Sequence, residues 1–201
     1  MHFNTIATSA ILATAASAAA VLPRQAPVPE PIAPNSVFEL VALRSASDVH
    51  FTWVSAADNR LWLKLADQKA SCDKTSDGKA QFRLIDGDLL LYSTSYSQQQ
   101  IWVDASGMGQ GITGYTTGVQ PMPSRYSQRG PFVFDQYNNL SLNNTAGFLA
   151  CPMPDGVYRL WTNAGVAKPA GSEGCLPVSL RASPVSEPNN CLYSDAPAPS
   201  S

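Results

Sequence analysis

The sequence predicts an all-β fold, and three observations carry that expectation. Apolar residues recur at every second position in one segment after another. Turn-forming pairs such as Asp58-Asn59, Asp86-Gly87 and Asn138-Asn139 separate those segments. Finally, Gly107, Gly109, Gly111, Gly114 and Gly118 crowd into one short stretch that no helix accommodates. The expected architecture is a single compact, disulfide-stabilised domain, a small barrel or β-trefoil-like arrangement, with a β-sandwich as the alternative.

Residues 1–20 read as a secretory signal peptide. The apolar run from Thr5 to Ala20 is rich in alanine and ends in the cleavage options Ala16-Ser-Ala18 and Ala18-Ala-Ala20. It is short of the roughly 20 residues a membrane span needs, so no membrane span is expected. Residues 21–36 contain Pro23, Pro27, Pro29, Pro31 and Pro34 and predict an extended, largely solvated linker. The β domain is expected over 37–195, followed by a Pro/Ser tail at 196–201. That tail lacks the apolar run of a GPI signal.

Within the domain, Phe38, Leu40 and Ala42 predict a first strand, and Val49, Phe51 and Trp53 a second after the turn at 44–48. Leu61, Leu63 and Leu65 predict a third. Helix-forming residues between Ala56 and Ala70 offer a competing helix, but the leucines repeat at two, not at three and four. Phe82, Leu84, Leu89 and Leu91 flank Asp86-Gly87, a pair suited to a type I′ hairpin turn. Phe132, Phe134, Leu140 and Leu142 form a comparable unit around Asn138-Asn139, and Phe51, Trp53, Leu61 and Leu63 a looser one. Three such units suggest an internal pseudo-repeat, unevenly spaced. Phe148–Cys151, Val157–Trp161 and Cys175–Ala182 supply further strands.

Composition excludes several classes of function. Charged residues make up 14% of the 201 residues, the formal charge is −2, and no basic stripe offers a nucleic-acid surface. Gly109-Gln-Gly111-Ile-Thr-Gly114 matches the dinucleotide fingerprint, yet β-formers and not a helix follow it, so no nucleotide cofactor is expected. In an exported chain Cys72, Cys151, Cys175 and Cys191 read as two disulfides, with three pairings open. Their spacing is not that of a metal site.

The candidate sites are few. Asn139-Leu-Ser141 and Asn143-Asn-Thr145 are N-glycosylation sequons. His50 lies in an apolar strand pattern, and Ser106 lacks the G-x-S-x-G frame of a nucleophile elbow. Glu39, Asp86, Asp88, Asp104 and Asp135 offer no evident acid pair. A carboxylate at Asp104 suits capping of the glycine turn that follows it. No catalytic, cofactor or metal residues are therefore expected. Trp62 alternates against Leu61 and Leu63 and is the residue expected to stack on a sugar ring.

Asp104 with Ser106-Gly-Met-Gly-Gln-Gly111, then Gly114-Tyr-Thr-Thr-Gly118 and Gln120-Pro121, resembles the signature of the PhiA-type cell wall proteins of filamentous fungi. Ala150-Cys151-Pro152, Ala164-Gly-Val-Ala167 and Pro169-Ala-Gly171 through Cys175 agree, and the similarity runs from about Phe38 to Tyr193. The resemblance implies a secreted, non-catalytic wall glycoprotein with a role in phialide and conidium development and in protection of the wall under stress. Its expected partners are wall polysaccharide or wall proteins. A carbohydrate-binding module is the alternative, and a small secreted glycoside hydrolase a more distant one.

Overall fold

A computed structural model describes residues 28–195 and contains fourteen β-strands and no α-helix among them. The expected signal peptide, the first part of the linker (21–27) and the tail at 196–201 lie outside the described residues. In the remaining linker the Asn138 side chain accepts from the Ile32 N–H at 3.3 Å and donates to the Glu30 carbonyl at 2.7 Å. Ile32 packs against the core.

Six strands make a wall: β1 (Val37–Leu43), β5 (Gln81–Ile85), β6 (Asp88–Leu91), β9 (Phe132–Phe134), β10 (Asn139–Leu142) and β13 (Leu176–Pro184). Antiparallel ladders join β10 to β13, β13 to β1, β1 to β5 and β5 to β6, and β9 pairs with β10. Three hairpins lie over that wall: β2 (Thr52–Ala57) with β3 (Arg60–Leu63), β7 (Gln99–Asp104) with β8 (Ile112–Thr117), and β11 (Phe148–Pro152) with β12 (Tyr158–Thr162). Their second strands meet. Tyr158 lies opposite Leu63, Arg159 opposite Trp62 and Trp161 opposite Ile112. A short β4 (Ser71–Cys72) pairs with β14 (Cys191–Leu192).

This is an all-β domain with trefoil-like connectivity, but it is not a closed barrel. The wall stays open between β6 and β9, where no ladder forms and the Phe132 N–H donates to the Gly87 carbonyl at 2.8 Å. An open wall and a layer of hairpins packed over one core is the layered arrangement that the sandwich alternative allowed.

Period two places the core. Phe38, Leu40, Leu61, Leu63, Phe82, Leu89, Leu91, Ile101, Val103, Leu140, Leu142, Leu160 and Leu180 all face inward and are buried. Tyr193 is buried with them. Its hydroxyl accepts from the Gln81 N–H at 2.9 Å, and burial pushes its pKa up to about 12. Gln99 clamps its backbone, accepting from the Tyr193 N–H and donating to its carbonyl, each at 2.8 Å.

Four expectations are corrected at the level of single elements. Val49–Phe51 is a turn, not strand: the Thr52 N–H returns to the Val49 carbonyl, Phe51 takes φ 62°, and β2 begins only at Thr52. β3 ends at Leu63, because Lys64 takes φ 61° and turns Leu65 out of the ladder. Asp86 and Gly87 both have positive φ, as the type I′ pair requires, but of Asn138-Asn139 only Asn138 does. The Asp135 carboxylate organises that longer turn by accepting the N–H groups of Tyr137 at 2.8 Å and Asn139 at 2.9 Å. The proposed repeat also mixes two kinds of unit. β5–β6 and β9–β10 are wall hairpins, whereas Phe51–Leu63 belongs to a covering hairpin.

The four cysteines form Cys72–Cys191 and Cys151–Cys175, separated by 119 and 24 residues. By loop-closure entropy alone, removing the longer link is expected to cost about 1.4 kcal/mol more than removing the shorter. Urea melts of the Cys72→Ala/Cys191→Ala and Cys151→Ala/Cys175→Ala double variants check the order.

Candidate functional site

The glycine-rich stretch turns out to be scaffold. The Asp104 Oδ1 atom accepts from the Ser106 N–H at 3.0 Å and from the Ser106 hydroxyl at 2.6 Å. Ser106 Oγ in turn accepts the Gly109 N–H at 3.1 Å. The Ser106 hydroxyl, with the backbone N–H, holds the buried Asp104 carboxyl below its ordinary pKa. Gly111, at φ 91°, brings its carbonyl to the Thr162 N–H at 2.9 Å, and a Cβ there would lie 1.9 Å from the Thr162 oxygen. The stretch thus docks the β7–β8 hairpin on β12.

Three of the other acid-base candidates, His50, Glu39 and Asp135, are similarly occupied. His50 Nδ1 accepts the Arg44 N–H at 3.0 Å and closes the loop between β1 and β2. Glu39 accepts from Gln81 Nε2 at 3.2 Å and lies 3.5 Å from Lys79 Nζ, which also meets Asp77 at 2.6 Å. Asp135 holds its own turn, and Asp86 sits in the hairpin turn that Asp88 leaves as β6 begins. No group of three or more His, Cys, Asp or Glu suited to a metal occurs among the described residues. None of the candidate acids converges with another on a cleft.

What the fold does build is an apolar groove of about 510 Å³, formed by Val41, Phe51, Trp53, Arg181 and Pro184, with Pro29 and Glu30 of the linker as one rim. Phe51 is 68% exposed, because its positive φ swings it out of the strand frame. Trp53 is half-buried, and Lys79 Nζ stands 4.9 Å from its ring centre, fixed from behind by Glu39 and Asp77. Asn138, Ser183 and Arg181 give the groove a polar fringe. An aromatic floor with polar groups at the edge suits a flat, hydroxyl-bearing ligand such as a sugar ring.

Sequence reasoning missed this groove, since Phe51 and Trp53 fell in an alternating pattern that assigned them inward. The polar run Arg44-Ser-Ala-Ser-Asp48 just ahead was the available signal that the strand had not yet begun. Trp62, the expected stacking residue, is half-buried, and its indole N–H already donates to the Ala57 carbonyl at 2.9 Å.

The two sequons differ. Asn139 is half-buried in β10 and its Nδ2 donates to Asp135 at 2.9 Å, so the atom that would carry a glycan is engaged. Asn143 is exposed at the turn after β10, where Asn143 and Asn144 both have positive φ and Leu142 bridges back to Ala146.

A family model described as a PhiA-like secreted protein matches residues 38–194. The chain is 41% identical over 194 residues to the cell wall protein phiA of Aspergillus fumigatus, covering 96% of this chain and 99% of that one. It is 38% identical over 180 residues to the protein of the same name from Aspergillus niger, covering 89% and 94%. Against that of Emericella nidulans the identity is 37% over 195 residues, covering 96% and 100%. No solved structure matches.

Removing the turn cap is expected to destabilise the fold without touching the groove. Asp104→Ala should cost about 1–3 kcal/mol at neutral pH. A depressed carboxylate pKa contributes stability that is complete above the unfolded value of about 3.9 and is lost as pH falls through the folded value. The difference between parent and variant should therefore shrink below about pH 4, which urea melts across pH would reveal.

Proposed function

The chain belongs to the PhiA-like secreted protein family and is a secreted protein of the cell wall; from this we propose that it is a non-catalytic wall glycoprotein of a filamentous fungus that holds wall polysaccharide in the Phe51–Trp53 groove. The observation that carries this reading is the aromatic groove itself, open to solvent in a protein whose Glu39, Asp104, Asp135 and His50 are committed to turns and pairs. The family resemblance supports a part in forming phialides and conidia. Residues 1–20 would direct export, and the glycan would sit on Asn143, whose side chain is exposed.

No helix among the described residues is long and apolar enough to cross a membrane. In this reading, contacts of the folded domain with polysaccharide or wall proteins, or its glycan, hold it at the wall.

Pull-down of the secreted protein on insoluble glucan, chitin and mannan tests the groove. Phe51→Ala and Trp53→Ala are each expected to lower retention roughly five-fold, as loss of about 1 kcal/mol of aromatic contact implies. Trp62→Ala should leave retention on these neutral polymers unchanged; if only Trp62→Ala lowers it, the groove is not the site. Glycopeptide mass spectrometry should find the glycan on Asn143 and little on Asn139. Disruption of the gene should reduce the conidial count of the mycelium, and a normal count would remove the developmental part of the proposal.

A further inference from the structure

The outer face of the three hairpins carries a second cluster that the groove does not use. Leu61 and Leu63 point into the core from β3, so Arg60 and Trp62 point away from it. By the same alternation Leu160 leaves Arg159 and Trp161 on the outer face of β12, and Ile101 and Val103 leave Trp102 on that of β7. Three of the four tryptophans thus gather where the hairpins meet, Trp62 half-buried and Trp102 and Trp161 buried beneath the arginines.

The Arg60 guanidinium stands 5.5 Å from the Trp102 ring centre, and that of Arg159 stands 4.7 Å from the Trp161 ring centre. Gly114 makes room for this, since a Cβ there would lie 2.8 Å from Arg60 Nη1 and 3.0 Å from the Trp102 ring. No carboxylate pairs with either arginine among the described residues. Arg60 Nη1 donates to the Asn59 carbonyl at 2.9 Å, but Arg159 Nε and Nη2 and the indole N–H groups of Trp102 and Trp161 are buried donors without an acceptor. Burial, and then the charge of Arg60, bring the Arg159 pKa down to about 10, which leaves it charged at neutral pH. Two guanidiniums without a carboxylate, one of them with two orphaned donors, are costly in one place without an anionic partner.

We propose that this face binds a carbohydrate bearing an oxyanion, either a uronic acid carboxylate or a sugar phosphate. The guanidiniums take the acid group, and the sugar ring rests on Trp62, the one indole of the cluster that is partly exposed. The site is separate from the groove and does not depend on the groove's binding neutral polymer.

The test is intrinsic tryptophan fluorescence of the whole secreted protein, titrated with glucuronate, glucose 1-phosphate and glucose at matched ionic strength. A saturable change is expected with at least one charged sugar, with none from glucose over the same range. Arg159→Met should weaken the response at least ten-fold while melting at or above the parent temperature, because it removes an unpaired half-buried cation. Arg60→Gln reads out the same loss should Arg159→Met not fold. A response to glucuronate alone assigns a carboxylate ligand, and one to glucose 1-phosphate alone assigns a phosphate. No saturable change with either, or an undiminished one in the arginine variants, overturns the proposal. Trp53→Ala should leave the response intact, so failure of the groove and failure of this site are distinguishable.

Discussion

The domain depends on the pairing of its first strand with its last long one. β1 and β13 lie opposite each other from Phe38 with Pro184 to Leu43 with Ser179, and each contributes alternate residues to the same core: Phe38, Leu40 and Ala42 from one, Val178, Leu180 and Ala182 from the other. Neither half of the wall can bury these residues alone. The ladder joins residues so distant in sequence that the wall is complete only when nearly the whole domain is present, which is the situation in which β proteins fold slowly. The segment after β13 then returns through the core as Tyr193, and the Tyr115 hydroxyl donates to the carbonyl of Ser194, so the end of the domain secures two hairpins at once.

Much of this was legible because it rests on local chemistry. Leu61 and Leu63, Leu89 and Leu91, and Leu140 and Leu142 face inward as period two requires, Asp86-Gly87 makes its tight turn, and Asp104 caps the glycine stretch. What escaped the sequence depends on backbone states that residue type does not announce. Phe51 and Lys64 hold positive φ although neither is a residue that favours it, and each moves its neighbours to another face or out of the ladder. The outer cluster was hidden for a different reason. Arg60 and Arg159 lie far apart in sequence, and only the meeting of β3 with β12 makes them neighbours.

Across the molecule, charge is spent sparingly and mostly on structure. Asp48 pairs with Lys64 and Tyr158 at the surface, Glu39 and Asp77 share Lys79, and Asp135 and Asp104 hold turns. Against that background the two faces that lack such closure stand apart. One is apolar with a polar rim, the other cationic with the half-buried Trp62 beside it, and both are chemistries that meet carbohydrate.

The two disulfides are nested, with Cys151 and Cys175 lying inside the interval from Cys72 to Cys191. A single cut by a protease anywhere within that interval leaves both fragments covalently joined, and a cut between Cys151 and Cys175 leaves them joined twice. A nicked molecule would therefore stay whole on a non-reducing gel and separate only after reduction. In a wall exposed to secreted proteases, one clip within that interval would neither shed the domain nor free its pieces.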